Sequence, residues 1–290
     1  MAKILIVGLG DIGTRLAGAL LAENPGHEPG HEIWGLRRSA VAVPGVHLIQ
    51  ADVTRPETLG GLPRAVDYVY VILTPGESSD EAYRRTYVEG VTQLLTNLDS
   101  SCLKRLFFVS STSVYGQDGG EWVDESSPAE AGGFSGQRLR EAENLIKNQK
   151  FATTVVRFAG IYGPGRLRLL RWVETGRPVQ AEPPAWTNRV HIVDCVRFLA
   201  FLLARDMQNL PVEGMYVAVD DMPVPQHEVL DWLAAELGLP PVPRQSAPGT
   251  SQNKRLSNAL SKKSGFVYIH PDFRSGYRAV IGASDKTDLI

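Results

Sequence analysis

Two patterns of hydrophobic and polar residues alternate through the first half of the chain. One is a short apolar run bounded by turn residues, which is typical of a buried strand. It predicts strands at residues 4–7, 32–35, 47–51, 68–73, 106–110 and 153–158. The other is an apolar residue at every third or fourth position, which predicts helices at 11–23, 80–97 and 136–148. Strands that alternate with helices predict an α/β fold, a doubly wound parallel sheet covered by helices on both faces.

The second half of the chain has a different pattern, because prolines divide it into short pieces. One amphipathic stretch predicts a helix at 226–237, and the apolar run 215–219 predicts a strand that joins the parallel sheet. We therefore predict two domains. The first covers residues 1–163, with the strand at 215–219 and part of 188–205 returning to it. The second, over 164–290, is smaller, interleaved with the first and on the substrate side.

Composition and charge narrow the classes of protein that fit. The 290 residues are 43% hydrophobic and 21% charged, which excludes a disordered or collagen-like chain. Lys and Arg number 30 against 32 Asp and Glu, without a basic run, so we expect no nucleic-acid partner. The N-terminal apolar run is too short for a signal peptide or a membrane span. Cys102 and Cys195 match no metal or disulfide pattern. We expect a cytoplasmic protein with no membrane partner and no metal site.

A glycine motif follows the first predicted strand and opens the first predicted helix. It reads Gly8-Leu9-Gly10-Asp11-Ile12-Gly13. G-x-G-x-x-G in this context is typical of a dinucleotide-binding Rossmann domain. Gly8 permits the tight turn, Gly10 lets the backbone approach a pyrophosphate, and Gly13 lets the helix pack on the strand. The helix N-terminus, at Asp11 and Ile12, offers N–H groups to the phosphates. A glycine-rich turn without a ligand is the alternative.

Two arginines follow the second predicted strand, where an NAD site normally has an acidic residue for the ribose hydroxyls. Arg37 takes that position and Arg38 comes next. Their guanidinium groups favour a 2′-phosphate by charge and by fork geometry, so we expect NADP rather than NAD. Two solvated surface arginines are the alternative. Asp52, after the third strand, could accept a hydrogen bond from the adenine amino group, or could cap a turn.

Further motifs occur in order along the chain. They are Phe107-Phe108-Val109-Ser110-Ser111-Thr112-Ser113-Val114-Tyr115-Gly116, Arg157-Phe158-Ala159-Gly160-Ile161-Tyr162-Gly163-Pro164-Gly165, Val190-His191-Ile192-Val193-Asp194 and Asn253-Lys254-Arg255-Leu256-Ser257-Asn258. With the glycine motif, the chain resembles the short-chain dehydrogenase/reductase superfamily, in its extended, NAD-dependent epimerase/dehydratase-like branch. The resemblance covers nearly the whole chain. It implies an NAD(P)-binding oxidoreductase that transfers hydride to or from a small carbonyl, hydroxyl or sugar-like substrate.

The resemblance also implies roles for polar residues at the strand ends. Ser111 would hydrogen-bond a substrate hydroxyl or carbonyl, and Thr74 would lie beside the ribose and pyrophosphate of the cofactor. The polar run from Ser110 to Ser113 ends a buried strand, where ligands of open α/β sheets bind. We assign Ser110 to the cofactor and Thr112 and Ser113 to the substrate. Hydroxyl groups that only cap the sheet edge are the alternative.

The resemblance implies that a turn at 162–166 lies under the nicotinamide. Tyr162 opens this turn, and Arg166 would reach toward the substrate. A plain turn without a ligand is the alternative. Basic and aromatic residues of the second half are compatible with an anionic or sugar-like substrate, and equally with an ordinary surface. They are Arg166, Arg168, Arg171, Trp172, Trp186 and Asn188.

The sequence departs from the family at its Tyr-x-x-x-Lys pair, because no lysine has a tyrosine four residues earlier. The matching segment places Ser135 at the tyrosine position and Leu139 at the lysine position. A shift of one residue gives Phe134 and Arg138 instead. A serine hydroxyl is much less acidic than a phenol. Arg138 could bind ribose or phosphate but cannot transfer a proton. The chain therefore resembles atypical members that keep the cofactor fold and lose the catalytic pair.

Different functions remain open on these residues. The first is an NADP(H)-dependent oxidoreductase or epimerase/dehydratase-like enzyme, with protons supplied by Tyr115, by Ser111 through water or by a group of the substrate. Ser135, at the position of the family's tyrosine, completes the set of candidate catalytic residues. A packed tyrosine is the alternative for Tyr115. The second is a non-catalytic NADP(H)-binding redox sensor or partner-binding module. The third is a binder of sugar nucleotides or other small metabolites with a degenerate cofactor site. A homodimer through the helices at 80–97 and 136–148 is also expected.

Overall fold

The computed structural model describes residues 1–22, 30–246 and 253–283. In chain order the strands are β1 (Lys3–Val7), β2 (Glu32–Arg37), β3 (Val46–Gln50), β4 (Tyr68–Val71), β5 (Arg105–Ser111), β6 (Glu121–Val123), β7 (Ala152–Phe158), β8 (Gly160–Tyr162), β9 (Val179–Gln180), β10 (Trp186–Thr187), β11 (Arg189–His191), β12 (Met215–Ala218), β13 (Val224–Pro225), β14 (Arg244–Gln245) and β15 (Lys254–Leu256). The α-helices are α1 (Asp11–Ala22), α2 (Asp80–Tyr83), α3 (Gly90–Asn97), α4 (Phe134–Lys147), α5 (Arg168–Glu174), α6 (Ile192–Met207), α7 (Gln226–Leu237), α8 (Ala259–Lys263) and α9 (Phe273–Ala283).

A seven-stranded parallel sheet forms the centre of the fold, in the order β12-β7-β5-β4-β1-β2-β3. Val7, at the end of β1, pairs with Leu36 of β2 and with Val71 of β4, so these strands end at one edge of the sheet. The central strands β1 and β4 are apolar and almost entirely buried, as a sheet covered on both faces requires. The predicted doubly wound α/β fold is confirmed.

One predicted helix is not continuous. The pattern at 80–97 predicts a single α-helix, but a π-helical segment, Arg84–Glu89, separates α2 from α3. The apolar periodicity did not reveal this segment, because a wider turn changes the backbone hydrogen bonds without removing the buried face. A π-helical turn of this kind is often found at functional sites.

The chain divides into two compact units. Unit 1 contains residues 1–114, 131–157 and 196–216, and unit 2 contains residues 115–130 and 158–195 with the described residues from 217 onward. The interior of unit 1 includes strands β1 and β4. The interior of unit 2 is apolar and contains Leu170, Val229, Leu230, Leu233 and Phe273. The domain boundary at 163 stays a prediction. Within the described part of the chain, no helix is both long enough and apolar enough to span a bilayer.

Candidate functional site

The glycine motif forms a close turn between β1 and α1. Gly8 has a φ of +106°, and a Cβ there would lie 2.0 Å from the carbonyl oxygen of Ile72. A Cβ on Gly13 would lie 2.1 Å from the carbonyl oxygen of Gly8. A Cβ on Gly10 would meet nothing within 4 Å, so this backbone faces open space. Gly8 and Gly13 are therefore required by the protein itself, whereas the space beside Gly10 is available to a ligand.

The motif is fixed to the neighbouring strand by its backbone. The N–H groups of Gly8 and Leu9 both donate to the carbonyl oxygen of Leu36, at 2.9 and 3.0 Å. Helix α1 then begins at Asp11. The first N–H groups of a helix have no intrahelical acceptor and carry the positive end of the helix dipole. This geometry fits the pyrophosphate of a dinucleotide, which would take the place of the missing acceptors.

A cavity of about 320 Å³ opens beside this turn, entirely within unit 1. It lies at the ends of β1 to β4, where ligands of open α/β sheets bind. Several residues predicted from the sequence line it together. They are Gly8, Gly10, Arg37, Arg38, Asp52 and Thr74. The cavity also includes Ser39, Thr54 and Thr86, which sequence reasoning missed because a lone hydroxyl residue carries no motif.

The two arginines leave their charge available at this cavity. Arg37 is half-buried, and its Nη1 donates only a long hydrogen bond of 3.5 Å to the carbonyl oxygen of Val41. Arg38 is exposed. Over the described ranges neither guanidinium forms an ion pair with a carboxylate. Two uncompensated positive charges at the end of β2 attract an anionic group more strongly than the hydroxyls of a ribose.

Asp52 is held in a turn at the same cavity. Its Oδ1 accepts hydrogen bonds from the backbone N–H and from the hydroxyl of Thr54, both at 2.9 Å. This arrangement matches the turn-capping alternative for Asp52. It also fixes the orientation of the carboxylate, whose other oxygen has no recorded hydrogen bond among the described residues.

The π-helical segment meets the cavity from the side of α2 and α3. Thr86, in this segment, lines the cavity, and the next residue anchors it. The hydroxyl of Tyr87 donates to the carbonyl oxygen of Leu73 at 3.0 Å, directly before Thr74. Burial raises the pKa of Tyr87, so this phenol stays protonated as a donor. The wide turn therefore ties the helix to the loop that carries Thr74.

The polar run at the end of β5 divides between a buried network and two half-buried serines. The hydroxyl of Ser110 donates to Glu143 Oε1 at 2.8 Å, and Glu143 lies on α4 with no exposed surface. Arg157 donates to both carboxylate oxygens, at 2.8 and 2.6 Å, and Arg140 Nη1 donates to Oε2 at 2.6 Å. Burial opposes ionisation, but the hydrogen bonds and charge of Arg157, with smaller contributions from Arg140 and Ser110, hold the pKa of Glu143 below its ordinary value. Ser110 therefore supports this network, and its predicted contact with a cofactor has no support here.

The hydroxyl of Ser111, the next residue, accepts a hydrogen bond but donates none to a described residue. Ser111 Oγ accepts a hydrogen bond from the backbone N–H of Ser113 at 3.2 Å, and no acceptor for its hydroxyl proton occurs among the described residues. Thr112 is buried in the turn that follows. A Cβ on Gly136 would lie 2.3 Å from the carbonyl oxygen of Ser113, so the first turn of α4 touches this run. The fold thus brings Ser111 to Ser113 near Ser135 within unit 1.

The guanidinium of Arg138 forms hydrogen bonds with two carboxylates of unit 1. It binds Asp80 with two hydrogen bonds, at 2.7 and 3.0 Å, and Glu141 with a third, at 2.7 Å. The hydrogen bond from Arg138 lowers the pKa of Asp80. Because these carboxylates take three of the five guanidinium N–H groups, the predicted role of Arg138 with ribose or phosphate has no support from this geometry.

The remaining predicted residues lie in unit 2. Tyr115 is buried, and its hydroxyl donates to the carbonyl oxygen of Asp124 at 2.7 Å, which fits the packed alternative. Tyr162 is also buried and stacks on Tyr277 with ring centroids 4.6 Å apart. Burial raises the pKa of Tyr162. The backbone N–H of Arg166 donates to the carbonyl oxygen of Gly163 at 2.9 Å, which closes the predicted turn.

Three comparisons place the chain among known proteins. A model of the NAD dependent epimerase/dehydratase family matches residues 4–213. Protein YeeZ of Escherichia coli K12 is 26% identical over 94% of this chain and 97% of its own length. A structure described as a candidate NAD-dependent epimerase/dehydratase from Methylobacillus flagellatus is 41% identical, with a TM-score of 0.82 over 97% of this chain and 98% of that one. The UDP-glucose 4-epimerase of Thermus thermophilus, in complex with NAD, shares the fold, with 19% identity and a TM-score of 0.76 over 97% and 98% of the two chains.

Proposed function

This chain belongs to the NAD dependent epimerase/dehydratase family, and on that premise we propose that it is an NADP(H)-dependent enzyme of the oxidoreductase or epimerase/dehydratase type. Its substrate is a small molecule with a carbonyl or hydroxyl group, sugar-like or anionic. One observation carries the proposal: the cavity of unit 1 combines the open space beside Gly10 with two arginines that lack carboxylate partners over the described ranges.

The residues of unit 1 have separate roles in holding the dinucleotide. The backbone of the glycine motif and the start of α1 would hold the pyrophosphate. Arg37 and Arg38 would hold the 2′-phosphate, and Asp52, whose carboxylate is fixed by Thr54, would accept a hydrogen bond from the adenine amino group. Thr74, which follows the Leu73 carbonyl that Tyr87 anchors, would bind the ribose and pyrophosphate. When bound, the nicotinamide supplies hydride chemistry.

Ser111 is the residue we assign to proton transfer. Its oxygen is fixed by the N–H of Ser113, and its own proton is available for a substrate oxygen or a bridging water. Ser135 is a second hydroxyl at the start of α4, the helix whose Gly136 lies against Ser113. The hydroxyl of Tyr115 already donates to Asp124, so we give Tyr115 a structural role.

The test measures oxidation of NADPH at 340 nm against a panel of aldehydes, ketones and sugar carbonyls. With an active substrate, we expect Ser111→Ala to lower kcat by about 100-fold or more, the usual contribution of a positioned proton donor. NADPH binding should not change. Ser101→Ala, at an exposed serine of unit 1, is the matched control. An unchanged kcat in Ser111→Ala would remove Ser111 from the mechanism.

A non-catalytic redox sensor is the second candidate function. It is favoured by the absence of the family's tyrosine, which leaves α4 without its proton donor. It is also favoured by Arg138, because this side chain binds Asp80 and does not replace the missing lysine. This candidate predicts saturable NADPH binding with no turnover on any substrate. It also predicts a partner whose affinity changes with the bound cofactor. Recovery of the same partners with and without NADPH would count against it.

A further inference from the structure

A cluster of two tryptophans and an arginine, Trp122, Trp186 and Arg255, lies on unit 2, and none of the three lines the cavity of unit 1. Strand β15 pairs in parallel with β6, and the register places Arg255 beside Trp122. Side chains alternate along both strands, so Lys254 and Leu256 are buried on one face, whereas Trp122 and Arg255 point to the other. Trp122 is 58% exposed, an unusual state for so large an apolar side chain.

The guanidinium of Arg255 lies over two indole rings. Its Cζ is 5.2 Å from the ring centroid of Trp122 and 5.1 Å from that of Trp186. Both distances are within the range of cation–π attraction. Contact with two rings places apolar surface beside the guanidinium. We call Trp122, Arg255 and Trp186 the indole–arginine cluster.

Backbone contacts hold the cluster in this arrangement. Arg255 Nε donates to the carbonyl oxygen of Gly120 at 2.7 Å. Gly120 has a φ of +84°, and a Cβ there would lie 3.3 Å from the ring of Trp186. The backbone N–H of Trp186 donates to Asn253 Oδ1 at 2.7 Å. A site that is fixed before binding loses little conformational entropy when a ligand arrives.

The unused polar groups of the cluster are all donors. Among the residues that the structure describes, no hydrogen bond is recorded from either Nη of Arg255 or from the indole N–H of Trp122 or Trp186. A guanidinium edge with two free nitrogens matches a carboxylate or phosphate with two parallel hydrogen bonds. The exposed ring of Trp122 adds a flat apolar surface beside that edge. The carboxylate of Glu121 belongs to the opposite face of β6, as the alternation requires.

We propose that the indole–arginine cluster is a binding site for a small oxyanion, a carboxylate or phosphate, that carries a ring. The edge of Arg255 binds the oxyanion, and the ring packs on Trp122. The binding of this ligand to unit 2 does not rest on the proposed function, because all three residues of the cluster belong to unit 2.

Calorimetric titration with four probes tests the proposal. Benzoate and glucuronate carry a carboxylate on an aromatic and on a sugar ring, glucose 6-phosphate carries a phosphate on a sugar ring, and inorganic phosphate has no ring. We expect at least one ring-bearing probe to bind about tenfold or more tightly than inorganic phosphate, given stacking of the usual strength. The best of the three identifies the anion and the ring.

Two variants connect that binding to the cluster. Arg255→Met should weaken the best probe by about tenfold or more, the usual effect of losing hydrogen bonds to a charged group. Arg177→Met is the matched control, because Arg177 also lies over an indole, that of Trp172, at 4.4 Å. It should leave the affinity unchanged. Melting curves and NADPH titration of each variant show whether the fold and the unit 1 site are intact.

Each result decides the proposal. Loss of binding in Arg255→Met but not in Arg177→Met, with folding intact, supports it. No saturable binding of any probe, equal binding of inorganic phosphate, or unchanged affinity in Arg255→Met would overturn it. If only NADPH binding fails, the proposed function is contradicted, whereas the proposal for the indole–arginine cluster is unaffected.

Discussion

Glu143 shows how a single residue keeps a charge stable inside unit 1. Its carboxylate accepts hydrogen bonds from Ser110, Arg140 and Arg157, and it has no exposed surface. Removing one member of a buried ion pair leaves its partner charged and without compensation. We expect Glu143→Gln to lower the free energy of unfolding by about 3–5 kcal/mol, measured by urea denaturation at pH 7.

Glu141, which precedes Glu143 on the same helix, is the matched control. It binds Arg138 at the surface, and Glu141→Gln should cost less than about 1 kcal/mol. Because the pKa of Glu143 is lowered from 4.5, its stabilising effect is complete above pH 4.5 and is lost as the pH falls through the lowered value. The gap between wild type and Glu143→Gln should therefore narrow in acid. Equal losses in the two variants at pH 7 would contradict this account.

Lys254 is a buried base, in contrast to the buried acid Glu143. Its Nζ donates to the carbonyl oxygen of Tyr115 at 2.9 Å. Burial lowers its pKa from 10.5 to about 8. Below pH 8 the folded protein holds a charged lysine that the unfolded chain solvates better. Between pH 8 and 10.5 the unfolded chain binds more protons, so this residue's contribution to stability rises with pH.

The variant Lys254→Met removes that dependence. We expect the stability of wild type, relative to Lys254→Met, to rise between pH 8 and pH 10 in denaturant titrations. Lys263→Met, at an exposed lysine of unit 2, should give a curve parallel to wild type. If the Lys254→Met curve also runs parallel to wild type, burial does not control this lysine.

At the scale of elements, the glycines of the turn between β1 and α1 have different roles. Gly13 is needed for the packing of the fold, whereas Gly10 leaves space for a ligand. A methyl group at Gly13 meets the Gly8 carbonyl, whereas one at Gly10 meets open space. We expect Gly10→Ala to keep the melting temperature of wild type and to lose NADPH affinity. Gly13→Ala should lower the melting temperature as well. Normal NADPH binding by Gly10→Ala would mean that no pyrophosphate lies against this backbone.

The same element scale shows what sequence patterns can and cannot predict. The strands of the central sheet and the helix at 226–237 are predicted well, because apolar periodicity records which face is buried, whereas the short strand β6 was missed. The π-helical segment was missed, since it keeps that periodicity. The partners of Ser110 and Arg138 lie 33 and 58 residues away in sequence, on α4 and α2. A local pattern holds no information about such partners, so these two residues looked available for a cofactor.

At the scale of the whole molecule, the ordered motifs predicted the family, and the alternation of strands and helices predicted the sheet. The indole–arginine cluster could not be predicted in this way. Its members are Trp122, Trp186 and Arg255, from three separate segments, and none belongs to a glycine or catalytic motif. A homodimer through the helices predicted at 80–97 and 136–148 stays a prediction, as does the cytoplasmic location.

The central claim is that unit 1 binds NADP(H), and separate titrations with NADPH and NADH test it most directly. Nicotinamide fluorescence follows binding, and a ligand at 100 times its Kd adds about 2.7 kcal/mol to stability, which a melting curve detects. We predict that NADPH binds more tightly than NADH and that Arg37→Asp removes the preference. Binding of neither nucleotide, or a preference that survives in Arg37→Asp, would contradict the account.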